Sequence, residues 1–102
     1  MQVSESKIKK YFDLTGEALK KVNLVAGKHT LDFKEKGEDF LDMAKRYYED
    51  AKYFEKKGDR VTAFAALNYA HGWLDAGARL GLFDVGGDNR LFTVDEEIKK
   101  EN

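Results

Sequence analysis

Residues 40–80 read FLDMAKRYYEDAKYFEKKGDRVTAFAALNYAHGWLDAGARL, and this stretch decides the fold. Up to Lys57, the apolar residues Phe40, Leu41, Ala44, Tyr47, Tyr48, Ala51 and Phe54 recur at three- and four-residue spacing. Asp39, Asp42, Lys45, Arg46, Glu49, Asp50 and Lys52 fill the intervening face. That is a helix with one buried stripe and one solvated side. Gly58 supplies a stop and Asp59 the cap of the next helix, so the turn is very short. Two helices joined this tightly are antiparallel neighbours. From Arg60 to Leu80 the pattern changes. Val61, Ala63, Phe64, Ala65, Ala66, Leu67, Tyr69, Ala70, Trp73, Leu74, Ala76, Ala78 and Leu80 surround the axis, as expected of a helix packed on more than one face. Ala66, Ala70, Gly72, Ala76 and Gly77 would let neighbouring backbones approach closely.

Upstream, Ser4 is a good N-cap, and Ile8, Tyr11, Phe12, Ala18, Leu19, Val22, Val25 and Ala26 keep helical spacing up to a stop at Gly27. Gly16 interrupts that stripe, as it would where another helix crosses closely. Lys28–Gly37 reads as a polar connection anchored by Leu31 and Phe33, and the second helix can start anywhere from Leu31 to Glu38. Downstream, Asp84-Val85-Gly86-Gly87-Asp88-Asn89 is a turn-rich loop, Leu91–Val94 a short packing segment and Asp95–Asn102 a charged end. The expectation is one all-α domain over residues 1–102. It is an antiparallel up-and-down three-helix bundle, with helices at about 4–26, 36–57 and 60–81 and a short irregular C-terminal extension over 82–102.

Composition narrows the function classes. There is no Cys, which excludes disulfides, thiolate metal sites and cysteine nucleophiles and fits a reducing cytoplasm. Mean hydropathy is -0.64, and no apolar run approaches a membrane span. A net charge of -1 gives no overall basic field, so nucleic acid is a disfavoured partner. Residues 1–30 carry six Lys against three acids, and residues 84–102 carry three basic against six acidic groups. The acidic end is therefore expected near the basic first helix, or simply solvated. His29 and His71 alone cannot make a His-rich metal site, and no HExxH is present. The loop at Asp84–Asn89 lacks calcium-loop spacing, and Gly86-Gly87 lacks the Lys-Ser/Thr of a phosphate loop. The serines, Ser4 and Ser6, sit at the terminus outside any nucleophile elbow. No catalytic residue, metal ligand or cofactor site is assigned.

One constellation remains. Asn68, Asp75 and Arg79 fall within a roughly 40° arc of the third helix, with His71 about 60° from Asn68. They can line a ligand or partner site, with Arg79 holding an anion and His71 moving protons. The structural alternative makes Asp75 and Arg79 an i,i+4 ion pair and lets Asn68 and His71 bond to neighbouring helices; structural networks are the commoner case.

The run Tyr48–Asp59, continuing through Ala63-Phe64 and Asn68-Tyr69-Ala70-His71-Gly72-Trp73-Leu74-Asp75-Ala76-Gly77 to Leu80-Gly81, resembles a small archaeal family, domain of unknown function three-five-seven. The resemblance covers about the central half of the chain. It implies a three-helix bundle without an assigned activity and brings no site residues. The Gly58-Asp59 hairpin is also similar to a tetratricopeptide unit and to the hairpin of microtubule-interacting-and-transport domains, but no second copy recurs. The leading expectation is a non-catalytic helical protein–protein interaction module, docking on another protein or on itself. The alternative is a small-molecule or nucleotide-binding protein with an inter-helix pocket around Asn68, His71, Asp75 and Arg79.

Overall fold

The structure, a computed structural model, describes residues 2–24, 31–88 and 91–92. Three helices pack into an up-and-down bundle: α1 (Glu5–Lys21), α2 (Leu31–Lys56) and α3 (Arg60–Arg79). Two short strands, β1 (Asn23–Leu24) and β2 (Phe83–Asp84), pair antiparallel, with Asn23 opposite Asp84 and Leu24 opposite Phe83.

The bundle is organised by its termini. Ser4 caps α1 through a hydrogen bond from the Lys7 amide, and Asp59 caps α3 through one from the Thr62 amide at 3.1 Å. α2 ends in a Schellman motif. Gly58 adopts φ +82°, its amide donates to Glu55, and the Asp59 amide donates to Phe54. The residue that closes one helix is thus followed directly by the residue that opens the next. α3 ends the same way: Gly81 has φ +80°, its amide donates to Ala78 and that of Leu82 to Gly77.

Asp59 also carries a pH dependence. Hydrogen bonds from the Thr62 side chain, and then from its backbone amide, hold the Asp59 carboxyl below its ordinary value of 3.8. A folded-state value below the unfolded one contributes stability above the unfolded value, and this is lost as pH falls through the folded one. Melts between about pH 5 and pH 2 should therefore lose stability faster for wild type than for Asp59→Asn, which keeps the acceptor and cannot titrate. Parallel pH profiles would show that the Asp59 charge contributes nothing to the cap.

α1 ends earlier than helical spacing predicts. Val22 is already extended, at φ -69° and ψ 139°, because Asn23 and Leu24 pair with β2 instead of continuing the helix. Val25, Ala26 and the expected stop at Gly27 lie outside the described residues. α2 starts at Leu31, the early limit of the expected range, so Gly37 is a helical residue. A Cβ on Gly37 would lie 3.0 Å from Leu24 Cδ2 and 3.4 Å from the Leu82 carbonyl, so this glycine lets α2 pass close beneath the strand pair. α3 stops at Arg79, with Leu80 as its C-cap.

The interior forms two clusters. One joins Val3 and Ile8 to Ala51, Ala63, Ala66 and Leu67 at the α2–α3 turn end of the bundle. The other joins Ala18, Ala44 and Leu74 to Leu82, Phe83, Val85, Leu91 and Phe92. The C-terminal extension is therefore core-forming: all five of its residues in this cluster are buried. Lys21 lies 3.6 Å from Asp88, which puts an acid of the extension against the basic end of α1. Trp73 is half-buried, packed edge-on against Phe40 at 4.9 Å. At Gly16 a side chain comes close instead of a crossing helix: a Cβ there would lie 2.7 Å from the Tyr48 hydroxyl, which donates to the Phe12 carbonyl. Of the small residues on α3, Ala66, Ala70 and Gly77 face the interior, whereas Gly72 and Ala76 face solvent. No described helix is long and apolar enough to cross a membrane.

Candidate functional site

α3 carries the polar row on the side turned toward α1. Asn68, His71, Gly72 and Asp75 from α3 meet Tyr11 and Leu14 from α1 around a cleft of about 330 Å³. The structure thus brings three of the four sequence-predicted residues together. Arg79 is exposed one turn beyond Asp75 and does not line the cleft. Asn68 is exposed at the rim, while His71 and Asp75 are partly buried. Larger depressions lie elsewhere, about 420 Å³ between the ends of α1 and α2, about 680 Å³ beside the N-terminal segment and about 380 Å³ along α1. None of these is lined by a residue of this row.

His71 is the best-defined member. Its Nε2 hydrogen-bonds to the Leu91 backbone carbonyl, and its Nδ1 lies 3.3 Å from the Thr15 hydroxyl. A carbonyl can only accept, so Nε2 carries a proton and donates to Leu91, while Nδ1 shares a hydrogen bond with the Thr15 hydroxyl. Both ring nitrogens therefore have a partner, and His71 ties α3 to α1 on one side and to the C-terminal extension on the other. Asp75 Oδ1 stands 4.0 Å from Nε2, beyond hydrogen-bond range, and Phe92 lies against the ring at 6.4 Å between centroids. Such a clamp positions segments; it leaves neither nitrogen idle for proton transfer.

Thr15 and Leu91 are the partners that sequence reasoning missed. Thr15 is 1% exposed, the buried polar residue among the described ones. The signal was present in the α1 stripe: Thr15 occupies the inward position between Tyr11 and Ala18 where an apolar residue would otherwise recur. Leu91 acts through its backbone, which side-chain patterns do not reveal. Thr15→Val keeps the volume and removes the hydroxyl, leaving Nδ1 facing a methyl group. It should cost about 1 kcal/mol in urea melts. An unchanged midpoint would mean that the Thr15–His71 bond contributes nothing.

No group of three or more acidic or histidine side chains among the described residues is placed to hold a metal ion. The chemistry this site offers is hydrogen bonding from Asn68 and Asp75 beside aromatic and aliphatic walls, in a cleft the size of one bulky side chain or a small ligand. No curated protein and no solved structure significantly matches the chain. The family model described as "Protein of unknown function (DUF357)" matches residues 10–83, from the second turn of α1 through the start of β2, and the chain belongs to that family.

Proposed function

We propose that this protein is a non-catalytic helical protein–protein interaction module of the archaeal cytoplasm, docking through the outer face of α3. One observation carries the reading. Of the four most exposed large apolar residues among those described, three lie on that face: Val61 at 40%, Tyr69 at 63% and Leu80 at 62%. Exposed apolar residues scattered singly are ordinary, but three along one helix, with exposed Ala65, Gly72 and Ala76 between them, support a contact surface there. Tyr69 is already oriented by stacking on Tyr47 at 5.2 Å, so less side-chain freedom is lost on docking. The test is site-specific photo-crosslinking in extract of the source cells. A photoreactive residue at Ala65, on the outer face, should give protein adducts, and one at Lys9, on the exposed side of α1, should not. Equal labelling at both positions, or none at Ala65, would remove the reading.

Small-ligand binding is the second reading, and the cleft between α1 and α3 favours it. A ligand at a hundredfold its dissociation constant adds about 2.7 kcal/mol to stability. A thermal-shift screen of nucleotides, phosphorylated metabolites and anions should then find a stabiliser whose effect disappears in Asn68→Ala. A screen without one argues against the cleft as a binding site.

A further inference from the structure

We infer that the occupant of the α3 outer face is a second copy of this chain, docked antiparallel about a twofold axis that passes between Ala70 and His71. The inference rests on the interaction-module reading and names its partner. The solvent-facing small and apolar residues of α3 and its C-cap are Val61, Ala65, Tyr69, Gly72, Ala76 and Leu80. Their spacings are four, four, three, four and four, the same read in either direction. Two helices related by a perpendicular twofold put residue i opposite residue j of the partner, and j opposite i. Here the sum i + j is 141 at every layer, pairing Val61 with Leu80, Ala65 with Ala76 and Tyr69 with Gly72.

The sizes match as the spacings do. Tyr69, the bulkiest residue of the row, meets Gly72, the smallest. Nothing lies within 4 Å of where a Gly72 Cβ would be, so that position is open to an incoming ring. Gly72 also lines the cleft between α1 and α3, and the partner's aromatic side chain has that space to enter. Alanine faces alanine at the next layer, allowing close approach, and valine faces leucine at the ends. A glycine in mid-helix costs about 1 kcal/mol relative to alanine, so a site with no intramolecular need for it calls for another reason. Antiparallel docking also sets the negative end of each α3 beside the positive end of its partner.

The strip is about 28 Å long and about 10 Å wide. With side-chain relief, two such surfaces bury on the order of 1,000 Å², the lower edge of specific interfaces. The dimer should accordingly dissociate in the micromolar range and form without refolding.

Sedimentation equilibrium should show a monomer–dimer exchange between about 5 and 500 μM, on either side of that dissociation constant. Tyr69→Asp and Gly72→Leu should each weaken it about tenfold or more, with helical content unchanged because both positions face solvent. Because the chain has no cysteine, introduced thiols report register directly. Ala65→Cys mixed with Ala76→Cys should form a mixed disulfide much faster than either forms a disulfide with itself, since like positions lie about 16 Å apart along the axis. A wild type that stays monomeric to about 500 μM, variants that dimerise as well as wild type, or faster like-with-like crosslinking would each overturn the dimer. Adducts from Ala65 to a different protein, with a monomeric wild type, would overturn the twofold pairing and leave the module reading standing.

Discussion

Leu74→Ala should destabilise the protein by about 3–5 kcal/mol, the upper part of the range for buried leucines. The reason lies in what surrounds Leu74. It is fully buried where α3 meets Ala18 of α1 and Ala44 of α2, both also at 0% exposure. Alanines on both sides mean that the helices already approach through short side chains, so little can flex inward to fill the void. Leu82, Phe83, Val85, Leu91 and Phe92 close the remaining side and lose their packing partner together. Urea melts should show a lower midpoint at unchanged slope. A loss under about 1.5 kcal/mol would mean that this cluster collapses freely, and that the C-terminal extension is loosely attached.

The second large effect comes from adding one methyl group. Gly77→Ala should cost about 2 kcal/mol, although alanine is the better helix former by about 1 kcal/mol. A Cβ on Gly77 would sit 2.6 Å from Cδ2 and 2.8 Å from Cζ of Phe83, and closer still to Cε2. Phe83 is 4% exposed and its backbone pairs with Leu24, so the ring cannot swing out without disturbing β2. Steric conflict therefore outweighs propensity. Gly72, five residues earlier, supplies the opposite control: with open space around it, Gly72→Ala should stabilise the monomer by up to about 1 kcal/mol. In the Gly77→Ala background, Phe83→Leu should recover part of the loss, and that coupling measures the contact directly. Equal melts for Gly77→Ala and wild type would mean that the ring has another place to go.

The α2–α3 hairpin was legible because its determinants are local. Apolar spacing, Gly58 and Asp59 each act within a few residues of where they stand. The end of α1 was not legible, since what stops the helix is pairing with Phe83 and Asp84, about sixty residues away. The outer face of α3 was hidden for a different reason. Ala65 and Ala76 are chemically indistinguishable from Ala63, Ala66 and Ala70, and only the positions of α1 and α2 decide which of them are covered. Trp73 shows the same limit: an apolar position by pattern, it emerges half-buried beside Phe40. For the candidate site, periodicity did place Asn68, His71 and Asp75 on one side, and the structure gathers them around one cleft. The roles of Thr15 and the Leu91 carbonyl depend on contacts across 56 and 20 residues, beyond any local pattern.

The abutting stop and cap at Gly58-Asp59 have a kinetic consequence. With no slack between α2 and α3, bringing them together closes almost no loop, and little chain entropy is lost before their side chains meet. This hairpin is therefore the cheapest nucleus available to the chain, whereas α1 must close a longer connection and the extension must then fold back over both. Substitutions inside the hairpin, such as Ala63→Gly, should slow folding, and those in α1, such as Ile8→Val, should mainly speed unfolding. In native-state hydrogen exchange the same order should run in reverse, with amides of α1 opening at lower free energy than those flanking the Gly58 turn. Exchange of all three helices at one common free energy would show that the bundle opens only as a whole.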